Sequence, residues 1–293
     1  MVKISKAELA KLKNQGIMNQ KQEGYFTVRI VNGGGNFTGE QLRILADFSE
    51  KYGKGYLGLT TRQAAEIPWI KYEDLEAIKE DITNHGMKHG GHGKKVRAVV
   101  ACKGGVCPHG LYDTQKYAEE LHNKYFGIDL PYKCKISLTG CPNNCVGADT
   151  TDIGFMGQAY VKYDVDKCKN CGLCTRECKQ KSVKLIDKKL VWDKNLCVNC
   201  GKCAVACPFG AMTIEKEGLA IYIGGKRGRS NYRFGNRLSK LYKEEDIDNI
   251  TQAIFKAFKE LGNEGERIAL LVERIGIEAF ENKVFEYYDE IKK

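Results

Sequence analysis

Apolar residues in the first 90 positions recur alternately with the two-residue period of a strand and the helical period of about 3.6 residues. The predicted strands span residues 25–31, 56–60 and 64–70. Two helices are predicted around them, with apolar faces formed by Leu42, Leu45, Ala46, Ser49 and Tyr52 and by Leu75, Ile78 and Ile82. The first helix is expected to end at Gly53.

A segment rich in Gly, His and Lys follows at residues 86–95 and is predicted to form a loop. His85, His89 and His92 are close enough in sequence to suggest a metal site. No carboxylate or cysteine with suitable spacing accompanies them, which favours a loop beside a basic pocket.

Beyond this loop, the apolar pattern predicts strands at 96–101, 134–138, 152–156 and 219–223. Two further helices have apolar faces formed by Tyr117, Ala118, Leu121 and Tyr125 and by Ile247, Ile250, Ile254, Phe258 and Leu261. A cysteine-rich segment at 166–215, with an internal repeat of 29 residues, interrupts the series. The pattern predicts an α+β fold in which a small domain is inserted into a larger one.

Composition narrows the setting in which this chain works. No apolar run approaches the ~20 residues needed to span a bilayer, and the polar, lysine-rich first 20 residues lack the apolar core of a signal peptide. Thirteen cysteines are an odd number with spacings that suit metal clusters better than disulfides. We therefore expect a cytoplasmic protein of a low-oxygen cell, with no membrane partner.

The formal net charge of +10 suggests nucleic-acid binding, which we discount. Bound clusters with thiolate ligands add negative charge, and basic residues also attract small anions. The chain shows no DNA-binding helix pattern, which argues against a redox sensor that binds nucleic acid.

Eight cysteines form two nearly identical C-x2-C-x2-C-x3-C runs, the second followed by Pro208. This is the ligand spacing of a protein with two [4Fe–4S] clusters, in which the fourth cysteine of each run ligates the other cluster. The expected ligand sets are Cys168, Cys171, Cys174 with Cys207, and Cys197, Cys200, Cys203 with Cys178. A segment of this kind transfers single electrons.

Five cysteines lie outside these runs. Cys102 and Cys107 form one pair, and Cys141 and Cys145 form a second in the sequence Cys-Pro-Asn-Asn-Cys. Two pairs can hold a third [4Fe–4S] cluster, and zinc, which also uses paired cysteines, is the alternative.

Several motifs resemble the sirohaem-containing sulfite and nitrite reductases. These are YFTVRIVNGGG, LTTRQ, VRAVVACKGGVC, LPYKCKISLTGCPNNC, DIGFMG and GGKRGR, which together span most of the chain. The chain is most similar to the small, dissimilatory-like type represented by anaerobic sulfite reductase subunits. The resemblance implies a ferredoxin-like half-domain at 1–90, a sirohaem and [4Fe–4S] domain at 91–165 and 216–293, and an inserted bacterial 2[4Fe–4S] ferredoxin domain at 166–215.

The resemblance also implies roles for the second group of cysteines. Cys145 would bridge the cluster to the sirohaem iron, and Cys102, Cys107 and Cys141 would complete the ligand set. The family usually spaces its first pair C-x5-C, whereas this chain has C-x4-C. Cys134 is therefore an alternative to Cys102, unless it is a small buried hydrophobe.

In the family, four basic side chains bind the substrate anion. The matching residues are Arg29, Arg97, Lys133 and Lys135, of which the two lysines share one face of a strand while Cys134 faces away. Sulfite reductases tend to have Lys at the position of Lys135 and nitrite reductases Asn, which favours sulfite. The carboxylates of sirohaem suit arginine forks, and the candidates are Arg62, Lys226, Arg227 and Arg229, followed by Arg233 and Arg237.

The function implied is six-electron reduction of sulfite to sulfide, with electrons entering through the inserted ferredoxin domain. The alternatives are reduction of nitrite to ammonium and a non-enzymatic electron-transfer subunit. The expected cofactors are sirohaem and three [4Fe–4S] clusters. The expected donor is a reduced ferredoxin or a flavoprotein or iron–sulfur partner. Because larger family members carry the repeat twice, a homodimer or higher oligomer is expected.

Overall fold

The computed structural model describes residues 4–228 and 232–293. Among these residues no helix is both long and apolar enough to cross a bilayer. The first 90 residues form a sheet with strand order β1-β2-β4-β3, and β5 also pairs with β2. The elements are α1 (Lys6–Asn14), β1 (Ile17–Asn19), β2 (Tyr25–Val31), α2 (Gly39–Tyr52), β3 (Gly58–Leu59), β4 (Ala65–Lys71), α3 (Leu75–Asn84) and β5 (Lys88–His89).

Local sequence explains where these elements begin and end. Thr38 and Gln41 form a capping box at the start of α2, and the helix ends at Gly53 as predicted. Along β2 the side chains of Phe26, Val28 and Ile30 are buried against the helices. The alternate positions, including Arg29, therefore lie on the opposite face of the sheet.

The rest of the chain is built on a second sheet with strand order β12-β11-β8-β7-β6. Its elements and those of the cysteine-rich segment are β6 (Val100–Ala101), α4 (Thr114–Tyr125), β7 (Ile136–Thr139), β8 (Ile153–Tyr163), α5 (Leu173–Glu177), β9 (Val183–Ile186), β10 (Lys189–Trp192), α6 (Lys202–Val205), β11 (Met212–Ile223), β12 (Asn236–Tyr242), α7 (Ile247–Leu261), α8 (Ile268–Ile275) and α9 (Ile277–Lys292). Strands β6, β7 and β8 are parallel, whereas β11 is antiparallel to β8 and β12. Helices α4, α7, α8 and α9 contribute to its main apolar core.

The cysteine-rich segment lies at the end of a long hairpin made by β8 and β11. The two strands pair from Ile153 opposite Ile223 to Tyr163 opposite Met212. Both strands are longer than the apolar pattern predicts, because their backbones continue to pair with each other beyond the apolar residues. As a result, residues 212–215, which the sequence analysis places in the inserted segment, belong to β11.

Two predicted strands are much shorter in the structure. Only Val100–Ala101 of the segment 96–101 forms a regular ladder. The carbonyl oxygen of Val99 accepts from Gly34 at 3.0 Å, and that of Ala98 accepts from Arg62 at 3.4 Å. Residues 98 and 99 therefore bond to the N-terminal half, while Val96 pairs with Cys134 through an isolated parallel bridge. The strand predicted at 56–60 is likewise reduced to Gly58–Leu59.

Candidate functional site: cysteine groups and a buried cation cluster

The cysteines of the inserted segment form two groups, each with one member from the other run. Cys168, Cys171, Cys174 and Cys207 line a small cavity together with Leu190 and Met212. Burial raises the pKa of Cys174, and the neighbouring Cys207, Cys168 and Cys171 raise it further. We call this cavity the outer cavity.

The second group is Cys178, Cys197, Cys200 and Cys203, which lines a larger cavity of about 240 Å³. Burial raises the pKa of Cys203 to about 12, with contributions from the thiols of Cys197, Cys200 and Cys178. We call this the inner cavity. The two groups have the membership that the motif spacing predicts.

The inner cavity also contacts the Cys-Pro-Asn-Asn-Cys loop. Cys141, Pro142 and Asn143 contribute to its wall. The segment is fixed there by backbone contact, since the amide of Ala159 on β8 donates to the carbonyl of Asn199 at 2.7 Å. The inner cavity is thus adjacent to the third cysteine group, and the outer cavity lacks these loop residues in its wall.

The third group comprises Cys102, Cys107, Cys141 and Cys145. Burial raises the pKa of Cys141, and Cys102, Cys145 and Cys107 raise it further, which shows that the four thiols are neighbours. The Sγ atom of Cys102 accepts the amide hydrogen of Gly140 at 3.1 Å. Cys145 is exposed.

Cys134 does not join this group. Its side chain is fully buried in the apolar core of the second sheet. Burial raises its pKa well above the usual range, with Asp152 as the next contribution. The structure therefore places Cys102, and not Cys134, with the other three thiols.

The loop after Cys141 has a left-handed turn held by one side chain. Asn144 has φ 52°, its Nδ2 donates to Asp149 at 2.6 Å, and its Oδ1 accepts from the amide of Ala148 at 2.7 Å. Gly225 packs against this loop so closely that a Cβ there would lie 2.6 Å from the carbonyl oxygens of Asp149 and Thr151. The Gly-rich segment and the cysteine loop consequently form one surface.

The basic residues of the Gly-rich segment differ in their surroundings. Arg227 donates to Thr150 at 3.0 Å, beside the cysteine loop, and Lys226 pairs through its backbone with Arg233. Arg229 lies outside the described residues. Arg233 is engaged with Ala269 and Glu273.

Arg237 also has a partner away from the cysteine loop. It donates to the Tyr160 hydroxyl at 2.6 Å. Arg233 and Arg237 are thus held by other groups, whereas Arg227 lies against the loop.

A second centre consists of partly buried cations contributed by both sheets, namely Arg29, Arg62, Arg97 and Lys135. Burial lowers the pKa of Arg62 to about 10, with Arg29 as the next cause. Burial also lowers the pKa of Arg97 to about 10 and that of Lys135 to about 8, and Arg62 is the next cause for both. We call this group the cation cluster. Lys133, whose ammonium lies 5.2 Å from the ring centroid of Tyr132, is a further neighbour of Lys135.

The arginines of the cation cluster are held in different ways. Arg29 donates to Glu66 at 2.7 Å, so a carboxylate offsets its charge. Arg97 donates to the backbone carbonyls of Gly91 and Gly93. Its buried Nε has no hydrogen-bond partner among the described residues. That leaves a donor available for an anion.

His92 is a member of this region that the sequence analysis did not select for substrate binding. Its Nε2 lies 3.4 Å from Arg29, and burial, followed by Arg29 and Arg97, lowers its pKa to about 4. His85 and His89 bond to other carbonyl oxygens, those of Asp81 and Gln15. The three histidines therefore do not come together. Of the three, His92 lies beside the basic residues, where the sequence predicts a loop next to a basic pocket.

A buried ion pair between Asp152 and Arg267 lies beside Lys135 and binds its backbone. Asp152 is fully buried and binds Arg267 through two contacts, at 2.6 and 3.0 Å. The same carboxylate accepts the backbone N–H of Lys135 at 3.0 Å. Sequence reasoning missed this pair because 115 residues separate its members.

The cation cluster and the third cysteine group lie at opposite ends of the same parallel strands. Lys135 precedes β7 and Cys141 follows it, and Arg97 and Cys102 flank β6 in the same way. Six residues of strand correspond to about 20 Å. Cys145 lies in the loop that returns from Cys141 to the start of β8, where the amide of Ile153 donates to the carbonyl of Lys135 at 3.0 Å.

Two family profiles match the chain. Residues 92–292 match the nitrite and sulphite reductase 4Fe-4S domain, and residues 18–85 match the nitrite/sulfite reductase ferredoxin-like half domain. The predicted α+β fold and its ferredoxin-like half-domain are thereby confirmed.

Individual relatives agree with these profiles. The chain is 32% identical over 275 residues to the coenzyme F420-dependent sulfite reductase of Methanocaldococcus jannaschii, in a match that covers 92% of this chain but only 44% of that protein. It is 28% identical over 272 residues to one of the anaerobic sulfite reductase subunits of Salmonella typhimurium, in a match that covers 86% of this chain and 80% of that protein.

Among solved structures, the crystal structure of dissimilatory sulfite reductase I is similar with a TM-score of 0.72. The match has 22% sequence identity and covers 89% of this chain and 69% of that one. At this identity the likeness describes the fold alone.

Proposed function

The chain belongs to the nitrite and sulphite reductase family, and on this premise we propose that it reduces sulfite to sulfide with sirohaem and three [4Fe–4S] clusters. It is an oxidoreductase of this family, as the sequence motifs predict. The proposal assigns 1–90 to a half-domain, 91–165 and 216–293 to the sirohaem and [4Fe–4S] domain, and 166–215 to an inserted ferredoxin domain.

The cysteine groups support iron–sulfur clusters over single zinc ions. Each group within the inserted segment joins three cysteines of one run with the fourth cysteine of the other. This exchange is typical of proteins with two [4Fe–4S] clusters, whereas a zinc site usually takes both cysteine pairs of its own motif. We assign the two groups of the segment and the group of Cys102, Cys107, Cys141 and Cys145 as ligands of three clusters.

The surface around Cys145 fits the proposed sirohaem. Cys145 is exposed and can serve as an external ligand. Arg227 lies against its loop, and Gly225 keeps the backbone close, so both are placed to bind the edge of a carboxylate-bearing ring. When bound, this cofactor would supply an iron to which the sulfur of sulfite or the nitrogen of nitrite can bind. Lys226, Arg229 and Arg62 are further proposed carboxylate partners.

The cation cluster is the observation that carries the proposal of an enzyme over an electron-transfer subunit. Among the described residues, Arg29 is the one member of the cluster with a carboxylate partner. Burying a cation costs several kcal/mol, and an electron carrier has no use for such a cluster. Arg29, Arg97, Lys133 and Lys135 are proposed to hold the oxygens of the anion. Lys135, whose pKa is about 8, can also donate a proton near neutral pH.

A complete site is proposed to form between two copies of the chain. Larger family members carry the repeat twice, and by this resemblance the cation cluster of one copy would meet the cysteine loop of another. This supports a homodimer or higher oligomer in which each partner contributes to the site.

Electrons are proposed to enter through the inserted segment. Cys141 contributes to the wall of its inner cavity, whereas the wall of its outer cavity contains no residue of that loop. The proposed donor is a reduced ferredoxin or a flavoprotein or iron–sulfur partner.

Steady-state turnover of sulfite and nitrite with reduced methyl viologen tests the proposal. At the position of Lys135, sulfite reductases tend to have Lys and nitrite reductases Asn. We therefore expect kcat/KM for sulfite to exceed that for nitrite. A preference for nitrite would favour the alternative product, ammonium. If protein with a full iron content reduces neither sulfite nor nitrite, the chain would instead be an electron-transfer subunit.

A further inference from the structure

We propose that the outward face of the β9–β10 hairpin is the docking site for an acidic one-electron carrier protein. This inference rests on the proposed function, in which electrons enter through the inserted segment. It adds the surface and the charge of the partner.

The hairpin has two chemically different faces. Lys184 is paired with Val191 and Ile186 with Lys189, so these four side chains share one face. All four are exposed, with Ile186 at 52% and Val191 at 45%. The result is a solvent-facing patch of two ammonium groups and two β-branched apolar side chains.

The opposite face of the hairpin covers the outer cavity. Val183 and Leu190 are buried there, and Leu190 contributes to the cavity wall with the four outer cysteines. The amide of Leu190 is held by Asn170, which lies between Cys168 and Cys171, at 2.9 Å. The hairpin is therefore a single layer between these thiols and solvent, and a sheet layer is about 10 Å thick.

The residues that line the two cavities indicate that electrons enter through the hairpin side of the inserted segment. The inner cavity is closed on one side by Cys141, Pro142 and Asn143, toward the third cysteine group. The outer cavity has no such neighbour in its wall, and Cys171 is exposed beside it. A carrier seated on the hairpin would approach the outer cysteines without contacting the remainder of the chain.

Charge identifies the partner as acidic. The hairpin contains Lys184, Lys188 and Lys189 against Asp187, so it carries a net positive charge. A basic patch speeds association with a protein of opposite charge and excludes partners of like charge. A second copy of this chain is disfavoured, because a symmetric contact would bring the same lysines together.

Each docking event would transfer a single electron. The carrier is oxidised by one electron and the inserted segment is reduced by one, and no bond forms or breaks. Six transfers, with seven protons taken from solvent, convert one sulfite into hydrosulfide and three waters.

Binding of an acidic 2[4Fe–4S] ferredoxin to the holoprotein, measured by isothermal titration calorimetry at low and high salt, tests the inference. The double variant Lys184→Glu and Lys189→Glu should weaken binding at low salt about tenfold or more and flatten its salt dependence. Both side chains are exposed, so the fold should persist. The matched control changes the exposed Lys71 and Lys259 to Glu and should bind as the wild type does.

Turnover separates this inference from the proposed function. With reduced methyl viologen, which needs no docking face, the hairpin variant should reduce sulfite at the wild-type rate, while its KM for ferredoxin rises about tenfold. Equal binding by the hairpin variant and the wild type would overturn the docking site, as would a wild type that uses viologen but does not bind this ferredoxin. Loss of viologen-driven turnover in the wild type would instead contradict the proposed function.

Discussion

At the scale of single residues, Cys102 and Cys134 show how burial distinguishes two similar thiols. Cys102 follows one predicted strand and Cys134 begins another, and the sequence leaves either as the fourth ligand. Cys134 lies in the apolar core, whereas Cys102 has Cys141 as a neighbour. Their environments therefore predict different consequences of substitution.

Cys102→Ala should reduce the iron content of the anaerobically purified protein by about four atoms per chain, one cluster. Cys134→Ala serves as the matched control and should retain the full iron and acid-labile sulfide content. Iron loss in the Cys134 variant, with none in the Cys102 variant, would reverse the assignment.

Lys135 should impose a pH limit on anion binding. Its pKa is about 8, chiefly because of burial and then because of Arg62. The side chain is charged below that value and neutral above it, so the KM for nitrite, whose charge is constant here, should rise about tenfold as pH passes above about 8. In Lys135→Arg the guanidinium stays charged, and this rise should disappear.

The control for that measurement is Lys116→Arg on the exposed face of α4, which should keep the wild-type pH profile. Identical profiles for wild type and Lys135→Arg would show that another group sets the limit.

Arg62 shows the limit of motif reasoning at this scale. The sequence analysis assigns it to sirohaem carboxylates, and the structure places it beside Arg29, Arg97 and Lys135. Its charge lowers the pKa of Arg97 and Lys135 in the cation cluster, whether or not Arg62 also binds the cofactor. His92 was missed as a member of that cluster because its role depends on the folding of the loop at 86–95.

At the scale of elements, the sequence predicts those whose pattern is local. The bounds of β2 match the prediction, and α2 ends at Gly53, because alternation, a capping box and a glycine specify them. The strand predicted at 96–101 is interrupted because the carbonyls of Val99 and Ala98 bond to Gly34 and Arg62 in the other half of the chain. The length of β8 also depends on a partner, β11, that is distant in sequence.

The Asp152–Arg267 pair joins the start of β8 to the start of α8, and its loss should destabilise the second sheet. Asp152→Asn would leave the buried Arg267 unpaired, at a cost of about 3–5 kcal/mol. We expect the midpoint of thermal unfolding to fall by about 10 °C. Glu264→Gln, which removes an exposed partner of Lys94, is the control and should leave the midpoint unchanged. An equally stable Asp152→Asn protein would show that the pair does not hold these elements together.

At the scale of the whole molecule, the proposed site between two copies predicts complementation between defective chains. Lys135→Ala and Cys145→Ala variants should each lose most sulfite turnover. In a mixed dimer, the intact cations of one chain would meet the intact cysteine loop of the other. Co-expression should therefore restore about a quarter of the wild-type activity, since half of random dimers carry one intact site. Mixtures as inactive as the single variants would place the complete site within one chain.

An anaerobic absorption spectrum of the purified protein, with iron and acid-labile sulfide counts, tests the central claim most directly. The account predicts a sirohaem band toward the red end and about twelve non-haem irons per chain, from three [4Fe–4S] clusters. About eight irons and no haem band would contradict it. The chain would then be an electron-transfer subunit, and its cation cluster would have no substrate to bind.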